Sequence, residues 1–234
     1  MGKQVVTFSK RCLTLVLGLL VIAFGVAIST QANLGTSPVS CLPYAVSNIL
    51  PFTVGNLTVA LHLCLIALQI ILLRKNYKPI QLTQVLIAFV LGWFIDFAML
   101  IVSHLQISGY AMQWVFCLIS CVLVAFGVFL EVKANLVVLA AEGLAKALSQ
   151  VTGKDFGKMK IAVDVSMVVI AIVVSMVFLG HLVGVREGTL AAAILVGAIV
   201  RVFNRHGAWL DRLLATDSSK EVAASSSEGP ASVQ

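Results

Sequence analysis

Apolar and polar positions fall in long blocks along this chain. Runs that are mainly apolar cover approximately 12–32, 54–73, 80–103, 110–130, 160–180 and 187–204. A helix needs about 20 such residues to cross about 30 Å of hydrocarbon, so each run predicts one membrane span. Two further apolar stretches, 36–50 and 137–150, are shorter. At about 22 Å of helix each, they are too short to cross comfortably. The first opens on Gly35-Thr36-Ser37-Pro38, contains Pro43 and ends at Pro51. Proline just inside a Ser/Thr cap marks a helix start, so a half-helix is expected from Thr36 or Ser37. Residues 1–32 also imitate a signal peptide, with Lys10-Arg11 before an apolar run and Thr30-Gln31-Ala32 after it. The run is longer than a signal core, and a counterpart deep in the chain favours a retained first span.

That counterpart belongs to a duplication. FGVAISTQANL at 24–34 returns as FGVFLEVKANL at 126–136, an offset of 102 (126 − 24). The same register pairs Gly55 with Gly157, Ala60 with Ala162 and His62 with Asp164. It then slips by three, pairing Gly92 with Gly197, Gln84 with Thr189 and Asp96 with Arg201. One register held over most of both halves is the sequence mark of internal repeats, common in secondary transporters.

Charge placement then sets orientation. With both short stretches re-entrant there are six spans, and of the 16 basic residues only Arg186 faces out. If the short stretches crossed, Arg74, Lys75, Lys78 and Lys133 would join it outside, against the positive-inside rule. An odd number of spans per repeat inverts the second copy. The expected fold is therefore an all-α membrane protein of six transmembrane helices plus two re-entrant half-helices, built as an inverted three-span repeat. Its parts are a cytoplasmic N-terminus (1–11), a first repeat (12–104) with half-helix 36–50, and a second repeat (110–204) with half-helix 137–150. A cytoplasmic tail (205–234) follows, Ser/Ala/Glu-rich and expected to be disordered from about 217.

Composition agrees with a bilayer as solvent. The chain is 60% hydrophobic and 11% charged, far from the roughly 25% charged residues of soluble domains. Its net charge of +6 resides in short basic clusters between apolar runs, which reads as orientation rather than nucleic-acid binding. Cys12, Cys41, Cys64, Cys117 and Cys121 all sit in apolar segments without paired spacing and read as small packing residues. Gly18, Gly25, Gly92, Gly127, Gly197 and Ala191-Ala192-Ala193 read as sites of close helix contact.

ANLGTSP at 32–38, EVKANL at 131–136, EGL at 142–144, DFGK at 155–158 and VGVREGT at 183–189 resemble the YczE/YyaS/YitT family of bacterial integral membrane proteins. The likeness runs to about Asn204. It implies a similar span number and a bacterial inner (plasma) membrane and brings no substrate or catalytic residue; the charge distribution puts both termini in the cytoplasm.

Polar groups inside spans mark functional sites by default; the alternative is that they pair and hold helices together. The first candidates are the two broken-helix loops, as a substrate site: Asn33, Gly35, Thr36, Ser37 and Ser40, with Asn135 and Glu142 opposite. Half-helix N-termini suit anions, whereas the Glu142 carboxylate suits a cation or proton. The second group is two charge pairs predicted by the symmetry, His62–Asp96 and Asp164–Arg201, either gates or staples. The third is Arg186-Glu187 at the outer face, where Glu187 also serves as ordinary helix-start electrostatics.

HExxH, GxSxG and Walker motifs are missing, as is any Cys/His cluster with metal spacing. No enzyme activity, cofactor or metal is expected. The leading reading is a secondary transporter for a small solute, driven by a coupling ion or solute gradient, with the lipid bilayer as partner and a homodimer left open. The alternative is a membrane regulator or assembly partner acting through protein contacts.

Overall fold

A computed structural model describes residues 2–77 and 79–207. The expected disordered tail, with Arg212 and Lys220, and Lys78 lie outside the described residues. The described residues form eight α-helices and no strand: α1 (Gly2–Ala32), α2 (Pro38–Ser47), α3 (Val54–Leu73), α4 (Thr83–Val102), α5 (Tyr110–Ala134), α6 (Ala140–Thr152), α7 (Phe156–Leu179) and α8 (Glu187–His206). Two 3-10 turns, Arg74–Asn76 and Pro79–Leu82, join α3 to α4. Six helices are long and apolar enough to cross a bilayer: α1, α3, α4, α5, α7 and α8. With 10 and 13 residues, α2 and α6 reach only about 15 and 20 Å.

Helix boundaries follow local chemistry, and much of it recurs 102 positions later. Asn33 and Asn135 follow the last turns of α1 and α5 with φ of 53° and 49°, the left-handed region that asparagine tolerates better than other side chains with a Cβ. Thr53 caps α3 by accepting from the Asn56 amide at 3.1 Å. Asp155 caps α7 by accepting from the Lys158 amide at 3.2 Å. Pro38 opens α2 after an extended Ser37, as the Ser-Pro signal predicts. The α6 start has no side-chain cap of its own; the carboxylate of Glu131 reaches forward to accept from the Leu139 amide at 2.8 Å.

At the centre α1 crosses α5. A Cβ at Gly18 would stand 2.9 Å from the Gly127 carbonyl oxygen, so small residues set this crossing, as expected. Around it, α4 packs on α1 and α8 on α5, α2 on α3 and α6 on α7, α2 on α7 and α6 on α3. The pattern breaks once. A tight seam joins α3 to α4, where a Cβ at Gly55 would overlap the Gly92 carbonyl oxygen. By contrast, α7 and α8 do not pack along their length. Gly197, expected to make a close helix contact, instead faces open space, because no described helix approaches that side of α8.

α8 serves as a ruler for the two loops. At its first turn the Gly188 amide donates to the Leu34 carbonyl at 2.8 Å, beside a Thr36-to-Gly184 bond of 3.0 Å. Just past its last turn, Gly207 lies against the Phe129 ring. The chain thus leaves α1 and α5 at opposite ends of the bundle.

Candidate functional site

A cavity of about 410 Å³ lies between the two halves. Its lining includes residues 102 apart in the chain: Ile22 and Val124, Val26 and Val128, Ser37 and Leu139, Ser40 and Glu142, Thr58 and Lys160, His62 and Asp164. Leu91 with Val196 and Ile95 with Val200 extend the list at the slipped offset of 105 (196 − 91). Phe156, Ile161, Ala193 and Gly197 also line it, on the two helices that do not pack along their length.

Charge inside the cavity centres on Lys160. Its Nζ lies 2.8 Å from Asp164 Oδ1 and 3.5 Å from Glu142 Oε1. Glu142 Oε2 is buried without a hydrogen-bond partner among the described residues. His62 is 2% exposed and makes no hydrogen bond to a described residue. The Ser37 hydroxyl donates to that of Ser40 at 3.0 Å.

Of the loop residues expected to form one substrate site, only Ser37, Ser40 and Glu142 reach this cavity. Gly35 and Thr36 border a separate crevice of about 10 Å³ beside Cys117 and Cys121. Gly35 has φ 98°, and a Cβ there would strike the Thr189 hydroxyl and the Arg186 amide, so the loop accepts only glycine. Asn33 lies in an open cleft of about 630 Å³ with Arg186 and Glu187. There Arg186 Nη1 donates to the Asn33 carbonyl at 2.8 Å, with Glu187 Oε2 3.6 Å from Arg186 Nε. A cation at carbonyls left open by the end of α1 is favourable helix-end electrostatics. Asn135 terminates α5 with its amide 3.4 Å from the Glu131 carbonyl and does not line the cavity.

Neither predicted charge pair forms. Asp96 accepts instead from the Thr53 hydroxyl at 2.7 Å and the Gly55 amide at 2.8 Å. The first turn of α3 offers free amides and a positive dipole end, a better partner than a histidine two turns deeper. Asp164 takes Lys160, one turn earlier on its own helix, and Arg201 is exposed with its Nε 3.3 Å from the Gly197 carbonyl. The open α7–α8 side keeps Arg201 away from Asp164. Replacing Asp96 by alanine should remove both bonds to the start of α3 and cost about 2 kcal/mol. A lowered unfolding temperature of purified protein would register it; an unchanged one would show the seam holds without the carboxylate.

Three polar residues escaped the sequence reading. Lys160 counted only as an orientation charge, although its i,i+4 spacing to Asp164 inside an apolar run was a usable signal. Glu131, 4% exposed, stood in the EVKANL motif without a role. Gln69, fully buried, donates to Gln84 Oε1 at 3.2 Å and to the Ala140 carbonyl at 3.0 Å, tying α3 and α4 to the start of α6.

Residues 9–205 match a family model described as a family of unknown function, DUF6198. The chain is also 27% identical over 189 residues to "Uncharacterized protein YyaS" of Bacillus subtilis (strain 168), covering 80% of this chain and 89% of that protein. No solved structure matches. With six apolar helices of spanning length and a family match over most of its residues, the chain is a multi-pass membrane protein belonging to the DUF6198 family.

Proposed function

We propose that this protein is a secondary transporter of the bacterial plasma membrane that moves a small solute by alternating access of two inverted repeats. The observation that carries the reading is the cavity, lined by residues 102 apart. Central sites at repeat interfaces, beside the N-termini of broken helices, recur in secondary transporters. In this reading α2 and α6 are the re-entrant half-helices, dipping from opposite faces, and both termini are cytoplasmic.

The unequal seams supply the gates. Gly55, Gly92 and Asp96 close α3 on α4 at the outer end, while the α7–α8 side stays open at the inner end. That is an inward-facing state. Because the two seams are counterparts in sequence, the other state is reached by parting α3 from α4 and closing α7 on α8. Equivalent sequence positions in unequal contacts are what two interchanging conformations of one repeat pair require.

Reconstituted protein should give saturable uptake of at least one solute from a panel of small cations, zwitterions and anions, and Glu142→Gln should lower it at equal reconstitution. Absence of flux across the whole panel would favour the regulator or assembly reading, in which Glu142→Gln has no consequence.

A further inference from the structure

We propose that the cavity takes a small organic cation, an alkylammonium, whose charge replaces that of Lys160 between Glu142 and Asp164. The proposal rests on the central cavity of the transport reading, but its test measures binding and needs no flux.

The charged lining consists of two carboxylates and one ammonium, a formal excess of one negative charge with His62 neutral. A third acidic group, Glu131, stands behind the wall through its bond to the Leu139 amide. Charge enclosed by apolar side chains is costly unless a partner balances it. Among the described residues, Glu142 Oε2 has no donor, and His62, buried against the cavity, makes no hydrogen bond. Glu142 Oε2 is therefore an acceptor that no described donor fills, beside an imidazole free to bond a ligand.

An anion fits poorly. The only ammonium in the lining already has two carboxylates within 3.5 Å, so an anion must displace one while facing the other. The half-helix N-termini do attract negative charge. However, Glu142 itself occupies the first turn of α6, and Pro38 supplies no amide at the start of α2. A bare metal ion fits poorly as well. Hard cations want several oxygen ligands at about 2.0–2.6 Å, whereas much of the wall is Ile22, Val26, Leu91, Ile95, Val124 and Val128. A volume of about 410 Å³ falls in the range of small organic ligands.

Lys160 shows how such a ligand sits. Its side chain is an ammonium on a four-carbon stem that lines the cavity, with the head between two carboxylates. A butylammonium ion offers the same head and stem. Lys160 is then an internal competitor, and its removal should strengthen binding rather than weaken it.

The test is calorimetric titration of the full chain in nanodiscs with n-butylammonium and, separately, butyrate, with empty nanodiscs subtracted. Saturable binding of n-butylammonium and none of butyrate is expected. Lys160→Met should tighten n-butylammonium binding at least about tenfold and Asp164→Asn weaken it by a similar factor, the scale of one charge-assisted hydrogen bond. Butyrate binding as tight as n-butylammonium overturns the proposal, as does Lys160→Met weakening the ammonium. Absence of n-butylammonium binding by both wild type and Lys160→Met also overturns it. Should Asp164→Asn fail to fold, the Lys160→Met shift and the butyrate comparison decide. Cation binding without flux of any solute would sink the transport reading alone; flux of anions without cation binding would sink only this proposal.

Discussion

Gly92→Leu is expected to prevent accumulation of folded protein. A Cβ at Gly92 would stand 2.5 Å from Val59 Cγ2 and 2.7 Å from the Gly55 carbonyl oxygen. The second of these is backbone and cannot rotate away. To admit leucine, α3 and α4 must separate, and separation also removes the Asp96 bonds to Thr53 and the Gly55 amide. Overpacking of this kind costs about 3 kcal/mol before the lost bonds are counted. Against a typical folding margin of about 5–15 kcal/mol, little native protein should survive solubilisation. Size-exclusion profile and thermal unfolding would measure it. A monodisperse variant of wild-type stability would mean that the seam is softer than its contacts imply.

The same substitution at the counterpart position has the opposite consequence for folding and acts on transport alone. A Cβ at Gly197 meets no heavy atom within 4 Å. Leucine is also a better helix former than glycine, by about 0.5–1 kcal/mol. Gly197→Leu should therefore fold at least as well as wild type. If α7 must close on α8 as α3 closes on α4, leucine at position 197 penalises that closed state by the overpacking energy, about 3 kcal/mol. The closed population then falls about a hundredfold, and solute flux in proteoliposomes falls with it. Normal flux through Gly197→Leu would show that α7 and α8 never adopt the tight packing of their counterparts.

These two glycines also show how far the sequence could be read. Runs of apolar residues placed five of the six long helices within a few residues and the end of α1, because hydrocarbon thickness imposes one length on every span; α1 itself starts about ten residues before its apolar run. The short helices were legible too, through Ser37-Pro38 in one case and the duplicated Ala-Asn-Leu before α6 in the other. The cavity lining was partly visible. Ser40, Glu142, His62 and Asp164 were singled out as intramembrane polar groups. Their partners were not. Symmetry in sequence proposed His62–Asp96 and Asp164–Arg201 on the assumption that both halves pack alike, and they do not. Asp96 meets a helix start that only three-dimensional packing presents, and Arg201 flanks a seam that is open. A repeat alignment reports which positions are equivalent. It carries no information on which of two equivalent seams is closed.

Alternating access requires those seams to exchange roles, and distance measurements between paired spin labels test this directly. One pair, at Phe52 and Leu100, reports on the α3–α4 seam near the start of α3; another, at Ile161 and Val202, on α7 and α8 near the start of α7. All four positions are exposed, and the five native cysteines would be replaced by alanine. In bilayers, each pair should show two distance populations, with the α3–α4 pair lengthening in the molecules whose α7–α8 pair shortens. Addition of n-butylammonium should shift both distributions in opposite senses. A single, ligand-independent distance at each seam, short across α3–α4 and long across α7–α8, would contradict alternating access through this cavity.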